Sequence, residues 1–298
     1  MRKRKLVLLT AIGALACALI LQMVLSRPAA VKILKLTEKP DVIVVNKTDG
    51  SALRLAKDGG KWTVGERAYP ADQAEAGVLA AAIETIKILD TVSRSGDDAR
   101  YDLSDDAKMT VTAKKGETVL RTLSVGKAAA TGQQTYMRID GGKETLLVSG
   151  DFRRLFGKQE GDLRDKNIFG FKAGDFSAIG VSGTQNYRIV KSGDAGEWSV
   201  ATPKEQLATQ LDKAKVEAWL TGIGTLKADS FADENIRKDG NPFSEFSFDL
   251  GNRTATVTVI QETKEGKFVC VSSESPYPFI LSEYTLKRFE KPLSELAK

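Results

Sequence analysis

The sequence predicts an α+β body of two tandem repeats, each a mostly antiparallel sheet with one long and one short helix, preceded by a single transmembrane helix. Three observations lead there. Residues 6–25 form an uncharged apolar run, short landmark segments recur in the same order in both halves, and alternating apolar stretches are separated by turns short enough for hairpins.

Leu6 to Leu25 carry no charge. At ~1.5 Å per residue a helix of that length reaches about 30 Å, the thickness of a bilayer's hydrocarbon core. Arg2, Lys3, Arg4 and Lys5 precede the run and Arg27 follows it, so the positive-inside bias keeps residues 1–5 in the cytoplasm and the body outside. The run exceeds the roughly 7 to 15 residues of a signal-peptide core, which favours an uncleaved signal anchor. Ala14 to Ala16 and Val24 to Ser26 leave cleavage open, and Cys17 leaves lipidation open; both fates keep the body outside the cytoplasm. The expected localisation is the cell inner membrane, single-pass, with a periplasmic C-terminal body and the lipid bilayer as partner through residues 6–25.

Gly60-Lys61-Trp62-Thr63-Val64 is echoed by Gly196-Glu197-Trp198-Ser199-Val200, and Leu147 to Phe156 by Ile280 to Phe289. Two strand-like runs precede each tryptophan, Asp41 to Val45 with Ala52 to Ala56, then Asp175 to Val181 with Tyr187 to Val190. A long helix follows, with Leu79, Ile83, Ile86 and Leu89 on one face in the first half and Val216, Leu220 and Ile223 in the second, where Leu226 lies near the same stripe. Later strands are expected at 109–113, 119–125, 135–139 and 145–148, and at 246–250, 254–260, 267–271 and 279–281. Ser149 and Ser282 are placed to cap the short helices. Charge and glycine make Gly161 to Gly174 the best boundary. The expected organisation is a cytoplasmic tip and anchor over 1–28, a first repeat over 31–165 and a second over 170–298.

Forty-four Lys plus Arg face 39 Asp plus Glu, and the five N-terminal cations account for the whole surplus. The body is therefore formally neutral, which removes the electrostatic basis for a nucleic-acid partner. The chain has no histidine, the usual general base and a common zinc ligand, so most hydrolase and metalloenzyme designs are excluded. Cys270 is the one cysteine beyond the N-terminal run; in Phe268-Val269-Cys270-Val271 it reads as a small buried hydrophobe.

Acidic clusters at Asp97, Asp98, Asp102, Asp105 and Asp106, and at Asp229, Asp233, Glu234 and Asp239, lack EF-hand spacing, and interspersed cations make them solvated loops. Ser124-Val125-Gly126-Lys127 fits an S-x-x-K pattern, but Ser124 ends a strand instead of opening a helix and its partner motifs are missing. Gly180-Val181-Ser182-Gly183-Thr184 misses the nucleophile elbow, and Gly222-x-Gly224 lacks the third glycine of a dinucleotide fingerprint. Trp62 and Trp198 read as core anchors, whereas Trp219 and Pro276-Tyr277-Pro278-Phe279 are candidates for a contact surface. No catalytic, cofactor-binding or metal residue is assigned, and no cofactor is expected.

The glycine-rich turn into Trp62, Tyr69-Pro70-Ala71-Asp72, Tyr101-Asp102-Leu103, Leu123-Ser124-Val125-Gly126 and Leu163-Arg164-Asp165-Lys166-Asn167-Ile168-Phe169 together resemble the extracytoplasmic family called domain of unknown function 4340. The chain departs from its pattern at Asp102, where a glycine is usual, and at Asn241-Pro242-Phe243 in the second copy. The resemblance implies a membrane-anchored accessory component of an ABC transporter of the gliding-motility type, with permease subunits as partners and no established enzyme activity. The expected function is a non-catalytic extracytoplasmic accessory protein. The alternative is a freestanding module that binds a cell-envelope polymer or small ligand.

Overall fold

The computed structural model describes residues 12–18, 31–193, 196–233, 236, 242–263 and 265–298. The chain divides between Leu163 and Arg164 into two compact units.

The first unit is built on a ten-stranded antiparallel sheet: β1 (Lys32–Lys35), β2 (Val42–Asn46), β3 (Ala52–Asp58), β4 (Lys61–Val64), β5 (Tyr69–Pro70), β6 (Thr85–Ser93), β7 (Met109–Lys115), β8 (Thr118–Ala128), β9 (Gln134–Ile139) and β10 (Thr145–Ser149). Their order is β1-β6-β10-β9-β8-β7-β2-β3-β4-β5. Alternation decides the faces, because successive side chains on a strand point to opposite sides. Ile43 and Val45, Leu53 and Leu55, Trp62 and Val64, and Met109, Val111 and Ala113 are all buried, while their neighbours are more exposed. Helix α1 (Gln73–Glu84) buries Ala76, Leu79, Ala80 and Ile83 at helical spacing. The short helices α2 (Phe152–Phe156) and α3 (Glu160–Leu163) complete the unit.

The second unit has an eight-stranded antiparallel sheet: β12 (Ala178–Ser182), β13 (Tyr187–Ser192), β14 (Glu197–Thr202), β16 (Ser230–Phe231), β17 (Ser244–Asp249), β18 (Thr254–Glu262), β19 (Lys267–Ser272) and β20 (Ser275–Ser282), in the order β14-β13-β12-β17-β18-β19-β20-β16. A separate two-stranded ribbon pairs β11 (Asn167–Gly170) with β15 (Thr225–Lys227). Helix α4 (Lys213–Ile223) buries Val216, Trp219, Leu220 and Ile223, and the short helices α5 (Glu283–Phe289) and α6 (Leu293–Leu296) follow β20. Phe176, Phe246, Phe248 and Phe289 give this core an aromatic centre, with Phe246 and Phe289 ring centroids 5.4 Å apart.

The expected fold class needs correction. The molecule is mostly antiparallel sheet, and its two sheets are large and unequal instead of two copies of one pattern with one long and one short helix each. The segment after the long helix shows the difference: Thr85–Ser93 is a nine-residue strand of the main sheet, whereas Thr225–Lys227 leaves the main sheet for the ribbon. Ile86 and Leu89 therefore do not belong to the long helix, and Leu226 does not belong to α4. Leu79, Ile83 and Ile86 fit helical spacing, but Ile86 and Ile88 also alternate, and two donors outside the helix decide the matter. Arg121 Nη1 donates to Ile83 O at 2.6 Å and Leu36 N donates to Glu84 O at 2.9 Å, so carbonyls at the helix end are satisfied from neighbouring segments.

Among the described residues no helix is long and apolar enough to cross a membrane, and most of the expected transmembrane run falls outside them. Residues 12–18 are helical and exposed; the rest of the 6–25 run lies outside the described residues.

Candidate functional site

The main candidate is a groove of about 460 Å³ on the second unit, between the C-terminal end of α4 and the segment running from α5 into α6. Asp212 starts α4, its carboxylate accepting from Ala214 N at 2.9 Å and Lys215 N at 3.2 Å. The following helix turns then bring Trp219 and Ile223 onto one face. Ser282 caps α5 by accepting from Thr285 N at 3.4 Å. Trp219 and Ile223 are buried and Pro292 is half-buried, while Tyr284, Lys287 and Arg288 stand exposed around them, Tyr284 at 79%.

The wall of this groove is fixed by side chains that reach backbone carbonyls. Trp219 Nε1 donates to Arg288 O at 2.8 Å, Tyr187 Oη donates to Lys291 O at 2.6 Å, and the Arg288 guanidinium returns a bond to Gly222 O. Ser244 Oγ, itself buried, donates to Glu290 Oε1 at 2.9 Å. Burial of Tyr187 raises its phenol pKa, so it stays a donor even in alkaline solution. The rim is charged, with Lys287, Arg288, Lys291 and Glu295 around it. Glu283 lies 2.6 Å from Lys287, and its hydrogen bond and charge raise the lysine pKa; Lys291 pairs with Glu295 at 2.8 Å. Such a surface presents an apolar floor and fixed charge, which suits binding more than proton transfer.

The sequence candidates fall elsewhere or play structural parts. Trp62 and Trp198 are buried in their units' cores, each with a lysine ammonium over the ring, Lys57 at 4.9 Å and Lys191 at 6.0 Å. Trp219 lines the groove as a buried wall residue, not as an exposed platform. Of Pro276 to Phe279, Phe279 is fully buried and Tyr277 lies under Arg164, whose guanidinium also sits 3.6 Å from the Phe231 ring centroid. Cys270 is fully buried, and desolvation pushes its thiol pKa up to about 12, far from a reactive thiolate.

Ser124 and Lys127 lie on β8, where Ser124 pairs across to Thr110 and Lys127 points to solvent. The glycine between them has a packing reason: a Cβ on Gly126 would come within 2.2 Å of Tyr101 O. Gly224 is similar, with a Cβ position 2.4 Å from Phe171 O at the point where Phe171 N donates to Gly224 O. Ser182 is the exposed last residue of β12, before a turn held by Asn186, whose Oδ1 accepts from Gly183 N at 3.2 Å.

Among the acids, Asp98 pairs with Arg138, Asp105 with Lys108, and Asp229 accepts from Ser282 N at 2.6 Å. Glu234 and Asp239 lie outside the described residues. No group of three or more His, Cys, Asp or Glu side chains suited to a metal ion occurs among the described residues. At the first unit's short helix the cap is Asp151, accepting from Arg154 N at 3.0 Å, and not the expected Ser149.

Sequence reasoning missed the groove. Its only advance signal was Trp219; the cations of α5 sit more than sixty positions away and meet it through packing alone.

The family model for a domain of unknown function (DUF4340) matches residues 62–242, from β4 of the first unit to just before β17 of the second. No curated protein and no solved structure matches the chain.

Proposed function

The chain belongs to the family of the domain of unknown function DUF4340, and from that premise we propose that it is a non-catalytic accessory protein, held at the outer face of the membrane by its N-terminal segment, that docks a protein partner through the groove of its second unit. The partner class is the permease subunits of an ABC transporter, as the sequence resemblance implies. One observation carries the docking role: a groove lined by Trp219, Ile223 and Pro292 and rimmed by Arg288 and the ion pairs Lys287–Glu283 and Lys291–Glu295, with a wall held by side-chain bonds to backbone carbonyls. Fixed walls favour binding because little conformational freedom is lost when a partner arrives.

The tether rests on sequence. Four cations precede a twenty-residue uncharged run, and one Arg follows it. The test is crosslinking from the groove in native membranes, with a photoreactive residue at exposed Tyr284, followed by detergent co-purification. Recovery of permease or ATPase subunits is the expected result. A clean preparation with no transporter subunit rejects the reading; saturable capture of envelope glycan in that case would make the protein a freestanding binder.

A further inference from the structure

We propose that the edge of the first unit's sheet, strand β1 with its neighbour β6, rests on the anionic headgroup surface of the membrane. The inference deepens the proposed function and rests on its tether.

Strand β1 ends the ten-stranded sheet, pairing with β6 and, among the described residues, with no other strand. Val31 and Ile33 are 49% and 55% exposed, two of the few large apolar side chains left in water. They are two positions apart and so share a face. The antiparallel register sets Ile33 opposite Lys87, and Lys35 lies two positions further along the same face; both lysines are exposed. The strip is therefore apolar at its centre and cationic at its flanks, the combination that partitions into a headgroup layer.

Chain length places this strip. Only Ser26 to Ala30 separate the uncharged run from Val31. At ~3.3 to 3.6 Å per fully extended residue, that connection reaches at most about 20 Å. With residues 6–25 in the bilayer, β1 lies near the surface whatever path the connection takes. Charge agrees with this placement: the first acidic residue of the chain is Glu38, so Arg27 and Lys35 approach the headgroups with no carboxylate between them. Tethering makes a weak contact sufficient, since the strip never leaves the neighbourhood of the surface.

The test uses the full chain with Cys17→Ser, reconstituted into phosphatidylcholine vesicles with and without phosphatidylglycerol. An environment-sensitive fluorophore is attached at Ile33→Cys or, as a control eight strands across the sheet, at exposed Lys61→Cys. The expected result is several-fold stronger quenching at position 33 than at 61 by headgroup-attached quenchers in phosphatidylglycerol vesicles. Lys35→Glu with Lys87→Glu, or high salt, should reduce it. Equal, weak quenching at both positions in a chain that stays with the vesicles through an alkaline carbonate wash overturns this inference and leaves the tether standing. Release in the wash overturns both. Crosslinks between copies through position 33 without lipid quenching would assign the strip to a second copy of the chain and overturn the lipid contact.

Discussion

Arg121 shows how one side chain can set an element boundary. It is 5% exposed, and its Nη1 lies 2.6 Å from Ile83 O and 3.4 Å from Glu84 O. Desolvation lowers its pKa, and the Asp140 carboxylate opposes that shift. Removing a charged donor from buried carbonyls costs about 1.5 to 3 kcal/mol. Arg121→Met is expected to lower unfolding free energy in urea by that order, with loss of helical signal at the same midpoint; an unchanged midpoint would reject the capping role. Cys270 gives a second check at this scale. Its folded pKa is about 12 against an ordinary 9.0, so above about pH 9 the unfolded chain releases a proton that the folded chain keeps. Stability therefore falls as pH rises through that window, and burial of Tyr187 adds in the same direction. In Cys17→Ser protein an aromatic disulfide reagent at pH 8 should label Cys270 only after denaturant is added.

The long helices illustrate what caps contribute to an element. Asp72 accepts from Ala74 N at 2.9 Å and Glu75 N at 3.1 Å, and its own N–H donates to Leu163 O at 2.8 Å. Loss of such a cap costs about 1 kcal/mol. Asp72→Ala should lower the thermal midpoint measurably, as should Asp151→Ala at α2, whereas Ser149→Ala should leave it nearly unchanged. Equal effects of the last two would contradict the assignment of Asp151. Strands such as Met109–Lys115 were legible because strict alternation admits one reading, and the start of α1 was legible because Asp72 precedes an apolar periodic run. The end of α1 was not. Ile86 satisfies both periods, and the donors that stop the helix come from Arg121 and Leu36, which a local pattern does not include.

At the scale of the whole molecule, the alternating runs could be read directly, but the dominance of sheet could not. Short edge strands such as Tyr69–Pro70 and Ser230–Phe231 carry no periodic signal and exist because a neighbouring strand offers them partners. The groove was invisible for the same reason, because Trp219 and Lys291 are neighbours only after α4 and α5 pack together. The tether makes its own prediction: a phosphatase active only outside the cytoplasm, fused after Lys298, should be active, and replacing Arg2 to Lys5 with acids should scramble that orientation. Activity confined to a cytosolic reporter would remove the tether. Strand pairing adds a constraint on biogenesis. Lys35 pairs with Thr85, so β1 is synthesised before its partner and gains its place only after β2 to β5 and the long helix have been made. A nascent chain thus carries a waiting strand, and its lysines help keep that strand from the wrong neighbour until the right one arrives.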